Sequence, residues 1–124
     1  MKFLFKLCFL LLIFFTANLA KAQDPIVVNK TDKEIYVQFT MDQDFTTFGY
    51  EKKDKSSMKV ICFSNMTADV DGNPHKCKLG AHYNSEEFTM SYLGTEGDWV
   101  KAEAKVNGEG MVFYFEKSAL VFED

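Results

Sequence analysis

Three side chains with oxygen ligands occupy alternate positions in one short segment of the chain: Asp69, Asp71 and Asn73. Carboxylate and amide oxygens at this spacing are ligands that a hard cation such as calcium uses. The segment departs from an EF-hand loop, because the sixth and twelfth positions counted from Asp69 are Pro74 and Gly80, where that loop has glycine and glutamate. Asp-Gly and Asn-Pro are also ordinary turn dipeptides. We therefore predict a solvated loop with no metal or other cofactor, and keep calcium binding as the alternative.

Two cysteines, Cys62 and Cys77, flank this segment, while the third, Cys8, lies in the N-terminal apolar stretch. Removal of the N-terminal stretch on export would leave two cysteines. An even number of cysteines in an exported chain is typical of a disulfide. The loop that it would close is about 16 residues long, which corresponds to about 3 kcal/mol of stability in the chain-entropy model. A zinc site would need two further ligands, and His75 and His82 complete none of the usual patterns. We therefore predict a disulfide between the two flanking cysteines.

Hydrolytic catalysis finds little support in the sequence. The chain has no Gly-x-Ser-x-Gly, no His-Glu-x-x-His and no phosphate-binding glycine loop. The candidates for acid–base chemistry are the two histidines and the adjacent pair Glu86 and Glu87, but neighbouring residues of a strand point to opposite faces. His82 has the strand parity of surface residues. We predict a protein that is not an enzyme, with an exported hydrolase as one alternative.

Aromatic residues indicate a binding function. Tyr36, Trp99 and Tyr114 fall on the outward parity of their predicted strands, and an exposed aromatic face suits a protein partner or a sugar ring. The competing interpretation is that a second sheet or a loop covers these rings. We predict a small binding domain that presents a β scaffold to a protein or glycan. A second alternative is a barrel that encloses a small apolar ligand among inward Phe and Met side chains.

The first 22 residues have the pattern of a signal peptide. Two lysines precede the apolar run Leu7–Phe15, and Ala20-Lys21-Ala22 places small residues where a signal peptidase reads them. The run is shorter than the roughly 20 residues that cross a bilayer. We predict a cleaved segment at residues 1–22, a single secreted or periplasmic domain at residues 23–124, and no membrane span in the mature chain. In a eukaryotic cell, export would expose two Asn-x-Thr glycosylation triplets, which begin at Asn29 and Asn65.

The charge of the mature chain argues against one class of partner. Cleavage leaves 102 residues with 11 lysines, 18 acidic residues and no arginine, a net charge of about −7. Arginine is the residue that most often reads phosphates and guanine edges through its planar fork. A chain that lacks arginine and carries net negative charge is repelled by the phosphate backbone. We therefore predict that the protein does not bind nucleic acid.

Composition and periodicity both favour an all-β domain. Valine, isoleucine, threonine and aromatic residues make up 33 of the 102 mature residues, and these types suit a pleated, half-buried surface. Apolar residues alternate with polar ones from Ile35 to Met41, from Phe88 to Tyr92 and from Val100 to Val106, as in strands with one face on the core. Further short strands are predicted at Ile26–Val28, Phe45–Tyr50, Met58–Ser64, Cys77–Tyr83 and Ala119–Phe122.

The dipeptide Asn107-Gly108 predicts a tight hairpin, because both residues readily take the positive φ of a two-residue turn. The turn would place Ala102 opposite Phe113 and Ala104 opposite Met111, so that small side chains face large ones. Seven to eight short strands at this spacing predict an antiparallel two-sheet sandwich, with a small closed β-barrel as the runner-up.

Overall fold

The computed structural model of the chain describes residues 26–38, 44–83 and 88–123. Strands make up 55% of these residues and helices 8%, so the all-β prediction is confirmed. The predicted signal peptide, the strand positions Phe39 and Met41, and the Glu86–Glu87 pair lie outside the described residues. None of the helices within the described ranges is long and apolar enough to cross a membrane. The strands are β1 (Ile26–Asn29), β2 (Glu34–Val37), β3 (Thr46–Tyr50), β4 (Lys59–Ser64), β5 (Ala81–Tyr83), β6 (Thr89–Glu96), β7 (Trp99–Val106), β8 (Glu109–Glu116) and β9 (Val121–Glu123), with a helix α1 (Thr67–Val70) and a 3₁₀ turn (Lys117–Ala119).

The nine strands of the described ranges form one open mixed sheet in the order β5-β4-β3-β8-β7-β6-β2-β1-β9. The predicted two-sheet sandwich is therefore not confirmed, and the prediction of wholly antiparallel pairing is wrong for β4 with β5 and for β1 with β9. The physical reason lies in the connections. Two-residue turns join the antiparallel pairs β6–β7 and β7–β8, whereas the chain between β4 and β5 is long enough to return and run parallel. Strand β9, the last of the described strands, lies beside β1, the first of them.

The sheet curls strongly around its apolar face. The Phe63 ring on β4 lies 5.4 Å from the ring of Phe88, which immediately precedes β6, and His82 on β5 lies 4.6 Å from the same Phe88 ring. Three strands separate β4 from β6 in the sheet, so a flat sheet would hold them about 19 Å apart. The curl brings the β5–β4 end over β6, but the sheet order ends at β5 and β9, so the sheet is open and not a closed barrel.

The core confirms the predicted hairpin register. Ala102 pairs with Phe113, and Ala104 with Met111, across a turn in which Asn107 and Gly108 have φ of 54° and 84°. These are the angles that a two-residue turn between twisted strands requires. Phe113 and Phe115 on β8 and Val100 on β7 are fully buried on the same face of the sheet. The fully buried side chains are Phe63, Phe113, Phe115, Ile26, Ile35, Ile61, Val28, Val60, Val100, Cys62 and Ser64.

Gly49 lets β3 approach the core more closely than any larger residue would. A Cβ atom at this position would collide with Cδ2 of Phe113 and lie 2.8 Å from Cγ2 of Ile61. The ladder between β3 and β4 shifts register at this point, between Gly49 and Tyr50. The Phe113 ring thus fills the space that a side chain at position 49 would take. The side chain of the next residue, Tyr50, lies on the outer face.

We expect Gly49→Ala to lower the free energy of unfolding by about 1–3 kcal/mol, because the added methyl group overpacks the core against Phe113. Urea denaturation measures the change. Gly110→Ala is the matched control, since its Cβ would meet only Cγ of Lys105 at 3.9 Å, an ordinary contact. Equal destabilisation by the two substitutions would show that the close approach at Gly49 is unimportant.

Candidate functional site

The outer face of the sheet carries an aromatic cluster on β3, β8 and β7. Tyr50 pairs with Tyr114, and Trp99 pairs with Glu116, in registers that point these side chains away from the Phe113 and Phe115 core. The Tyr50 ring packs edge-on against Trp99, with ring centroids 6.0 Å apart and an angle of 87° between the planes. The Phe48 ring also packs against Tyr50, with ring centroids 6.2 Å apart. We call Phe48, Tyr50, Trp99 and Tyr114 the outer aromatic cluster.

Members of the cluster differ in how far they are covered. Tyr50 is only 8% exposed, whereas Phe48, Trp99 and Tyr114 are half-buried. Burial raises the pKa of Tyr50, and the nearby thiol of Cys77 adds to the rise. The cluster therefore has a buried centre that fixes the half-exposed rings around it. The sequence placed Trp99 and Tyr114 on one face, but it missed Phe48 and Tyr50, although their alternation with Thr47 and Gly49 is a visible signal.

The third predicted contact residue, Tyr36, lies apart from this cluster. It sits on β2, two strands beyond β7 in the sheet, and its hydroxyl donates a 2.8 Å hydrogen bond to Oε2 of Glu123 on β9. This bond raises the pKa of Tyr36, because the carboxylate favours the protonated phenol that donates to it. The hydrogen bond links β2 to β9. Tyr36 is therefore not part of the surface around Trp99.

An open groove of about 700 Å³ lies beside Trp99 at one end of the sheet. Its two walls are the turn between β6 and β7 and the 3₁₀ turn after β8, and the amide of Lys117 joins them by a 2.8 Å hydrogen bond to the carbonyl of Asp98. Gly97 has φ of +61° in the first of these turns. The groove is lined by Asp98, Trp99, Glu116, Lys117, Ser118, Leu120 and Phe122. Sequence patterns give no signal for it, because its walls come from turns distant in the chain.

The lysine-rich loop between β3 and β4 reaches the same end of the sheet. Nζ of Lys55 lies 2.9 Å from Oε1 of Glu116, and Nζ of Lys53 lies 3.9 Å from Oε2 of Glu96. Exposed ion pairs of this kind contribute at most about 1 kcal/mol each. Their consequence for the groove is electrostatic, since Lys55 compensates the negative charge of Glu116 at the rim of the groove.

Cys62 and Cys77 are buried free thiols in this structure, so the predicted disulfide is not confirmed. The two thiols lie within hydrogen-bonding reach of one another. Burial is the main cause that raises the pKa of Cys62 to about 12, and the neighbouring Cys77 adds to the rise. Asn73 holds the loop that carries Cys77, because its amide nitrogen donates to the Cys77 carbonyl at 2.8 Å and its oxygen accepts from the Cys77 amide at 3.1 Å.

The candidate calcium ligands have separate structural contacts. Asp69 accepts hydrogen bonds from the hydroxyls of Ser64 at 3.0 Å and Thr46 at 3.1 Å, while Asn73 binds the Cys77 backbone. Asp71 is exposed on the turn after α1. Across the described ranges, no group of three His, Cys, Asp or Glu residues is arranged to hold a metal ion. The polar side chains of this segment thus organise the loop beside β4.

The two histidines lie on opposite faces of the sheet. His75 packs edge-on against Phe48 of the outer aromatic cluster at 4.9 Å. His82 packs on the inner side against Phe63 and Phe88, and its Nε2–H donates to the Leu79 carbonyl at 3.2 Å. His82 is half-buried, because the curl of the sheet brings Phe88 over β5. The structure therefore does not bring the two imidazoles together.

Comparisons of the chain with protein-family models, with curated proteins and with solved structures found no match.

The raised pKa of Cys62 predicts how the stability of the reduced protein depends on pH. The thiol pKa rises from 9.0 to about 12 on folding, so its contribution to stability is complete below pH 9 and is lost as the pH approaches 12. Urea midpoints of the reduced protein from about pH 8 to about pH 11 measure this loss. We expect Cys62→Ala to lose less stability over that range. Parallel curves for the two proteins would contradict the assignment.

Proposed function

We propose that this protein is a small exported binding domain without enzymatic activity, and that Trp99 and Tyr114 contact its protein or glycan partner. The observation that carries the proposal is the position of Trp99, which is half-buried, packs edge-on against buried Tyr50 and lines the open groove. Tryptophan and tyrosine dominate binding energies at interfaces because they bury large rings with a polar group attached.

Rigidity of the contact rings supports the proposal. Trp99 is the first residue of β7, and its ring is held from the side by Tyr50, whose own ring lies against Phe48. A side chain that is already fixed loses little conformational entropy when a partner binds. The cluster lies on the face opposite the core, so contact with a partner leaves the fold intact.

Export of the protein is supported by the signal-peptide pattern of residues 1–22. In an oxidising compartment we infer that Cys62 and Cys77 become a disulfide, with the two thiols losing two protons and two electrons to the oxidant of that compartment. Their mutual proximity supports this inference. The bond would fasten the exposed loop around Asn73 to β4, beside the outer aromatic cluster.

We expect the protein exported from the full-length coding sequence to start at Gln23 and to be two hydrogen atoms lighter than its dithiol form. Intact mass spectrometry before and after reduction measures both features. Reduction should lower the free energy of unfolding by about 3 kcal/mol, as for a loop of about 16 residues. Two thiols that react with iodoacetamide in denaturant, without prior reduction, would contradict the disulfide.

Alanine substitutions test the contact surface. We expect Trp99→Ala and Tyr114→Ala each to weaken capture of the partner from the source organism's exported fraction by at least about 10-fold, as interface aromatic residues do. Quantitative mass spectrometry of captured proteins and glycans measures the change. Leu93→Ala is the control, because Leu93 is a large apolar residue, 48% exposed, outside the cluster.

Two results would overturn the proposed surface. One is unchanged capture by both aromatic variants. The other is a loss of several kcal/mol of stability in each of them, because truncation of a core aromatic residue costs about 3–5 kcal/mol and such a loss would identify the rings as core.

A further inference from the structure

We propose that the groove beside Trp99 binds a neutral sugar residue, so that the partner of this domain is a glycan. The inference rests on the proposed binding function and adds the chemical class of the ligand. It follows from the shape of the groove, from the indole ring on one wall and from the balance of charged and hydrogen-bonding groups around it.

The groove is preformed and has the size of a small-ligand site. Its volume of about 700 Å³ lies within the roughly 300–1,000 Å³ of typical pockets. The Lys117–Asp98 backbone bond joins its walls, and a second bond, from the Leu120 amide to the Lys117 carbonyl at 3.2 Å, closes the 3₁₀ turn. Pairing of β9 with β1 holds the segment that carries Phe122. Binding therefore requires little ordering of the backbone.

The Trp99 ring provides the apolar contact that a sugar needs. One face of a pyranose ring presents C–H groups with partial positive charge, and the face of an indole ring is negative because of its quadrupole. The T-shaped contact with Tyr50, at 87° between the planes, sets the orientation of the indole from one side. Leu120 and Phe122 supply further apolar surface within the groove.

Polar groups around the indole match the hydroxyls of a sugar. The carboxylates of Asp98 and Glu116 accept hydrogen bonds, while Lys117 donates them and the Ser118 hydroxyl does both. A sugar hydroxyl is likewise both donor and acceptor, so it can use either kind of group. A few convergent polar groups on an otherwise apolar wall are typical of specific ligand sites.

Charges of both signs surround the groove. Lys55 pairs with Glu116, and the lining carries Asp98 and Lys117. Nζ of Lys30 lies 5.0 Å from the ring of Phe122, which also lines the groove. The acidic chain as a whole repels an anionic ligand, and the lysines at the groove repel a cationic one. These charges favour a neutral, polyhydroxylated ligand over an acidic polysaccharide.

Trp99 is the chain's only tryptophan, so its fluorescence reports directly on the groove. The experiment titrates the protein expressed from the full coding sequence with neutral oligosaccharides of glucose, galactose, mannose and N-acetylglucosamine, and with an oligogalacturonate. We expect at least one neutral saccharide to change the Trp99 emission saturably, with a Kd on the order of 1 mM or tighter. We expect the oligogalacturonate to have no effect.

Variants separate binding in the groove from binding elsewhere. Glu116→Gln and Lys117→Ala should each weaken the active saccharide by about 3-fold to 10-fold, because each loses a charge-assisted hydrogen bond. Glu103→Gln, on the outer face of β7 away from the groove lining, should bind normally. Neither Trp99→Phe, which keeps an aromatic ring, nor Trp99→Ala, which does not, has tryptophan fluorescence. Saturation-transfer NMR therefore measures saccharide binding to these two variants.

The outcomes distinguish this inference from the binding function beneath it. If no neutral saccharide changes the Trp99 emission, or if only the oligogalacturonate does, the glycan inference is wrong. If a captured protein then quenches Trp99 and loses affinity for Trp99→Ala, the proposed binding surface stands without the glycan. If neither saccharides nor captured partners depend on Trp99, both proposals fail.

Discussion

The contact between the Phe63 and Phe88 rings is the constraint on which the rest of the structure depends. It joins β4 to the beginning of β6 across the interior, and it exists only because the nine-stranded sheet curls. Curling lets a single sheet enclose its own apolar face, which otherwise needs a second layer to cover it. Burial of that face provides the main driving force for folding. On the opposite face, Trp99 and Tyr114 stay half-buried.

The outer face depends on the same packing. Inside, the Phe113 ring fills the space that a side chain at position 49 would take. Outside, the next residue of β3, Tyr50, packs against Trp99. The groove then forms where turns from separate parts of the chain meet, joined by the Lys117–Asp98 backbone bond. A binding surface built on strand ends and short turns is held by the sheet and does not need to be ordered by its ligand.

Local features of the fold were predictable from the sequence, and long-range ones were not. The Asn107-Gly108 hairpin was predicted to the residue, because turn chemistry and the alternation of small and large side chains are local properties. The parallel edge strands were missed, because the length of a connection does not reveal where the chain returns. The partial burial of His82 was not predictable for a related reason, since it depends on Phe88, which lies near in space only after the sheet curls.

By itself the sequence determined an all-β domain, most of its strands and the apolar face of the Asn107-Gly108 hairpin, because a period of two assigns side chains to faces without reference to any partner. It also placed Trp99 and Tyr114 on one face. Only the tertiary structure decided that the strands join in one curled sheet, that Tyr50 supports Trp99, and that Asp98, Glu116 and Lys117 share a groove. The physical reason is that strand order and curl arise from packing between residues far apart in the chain, which no local pattern records.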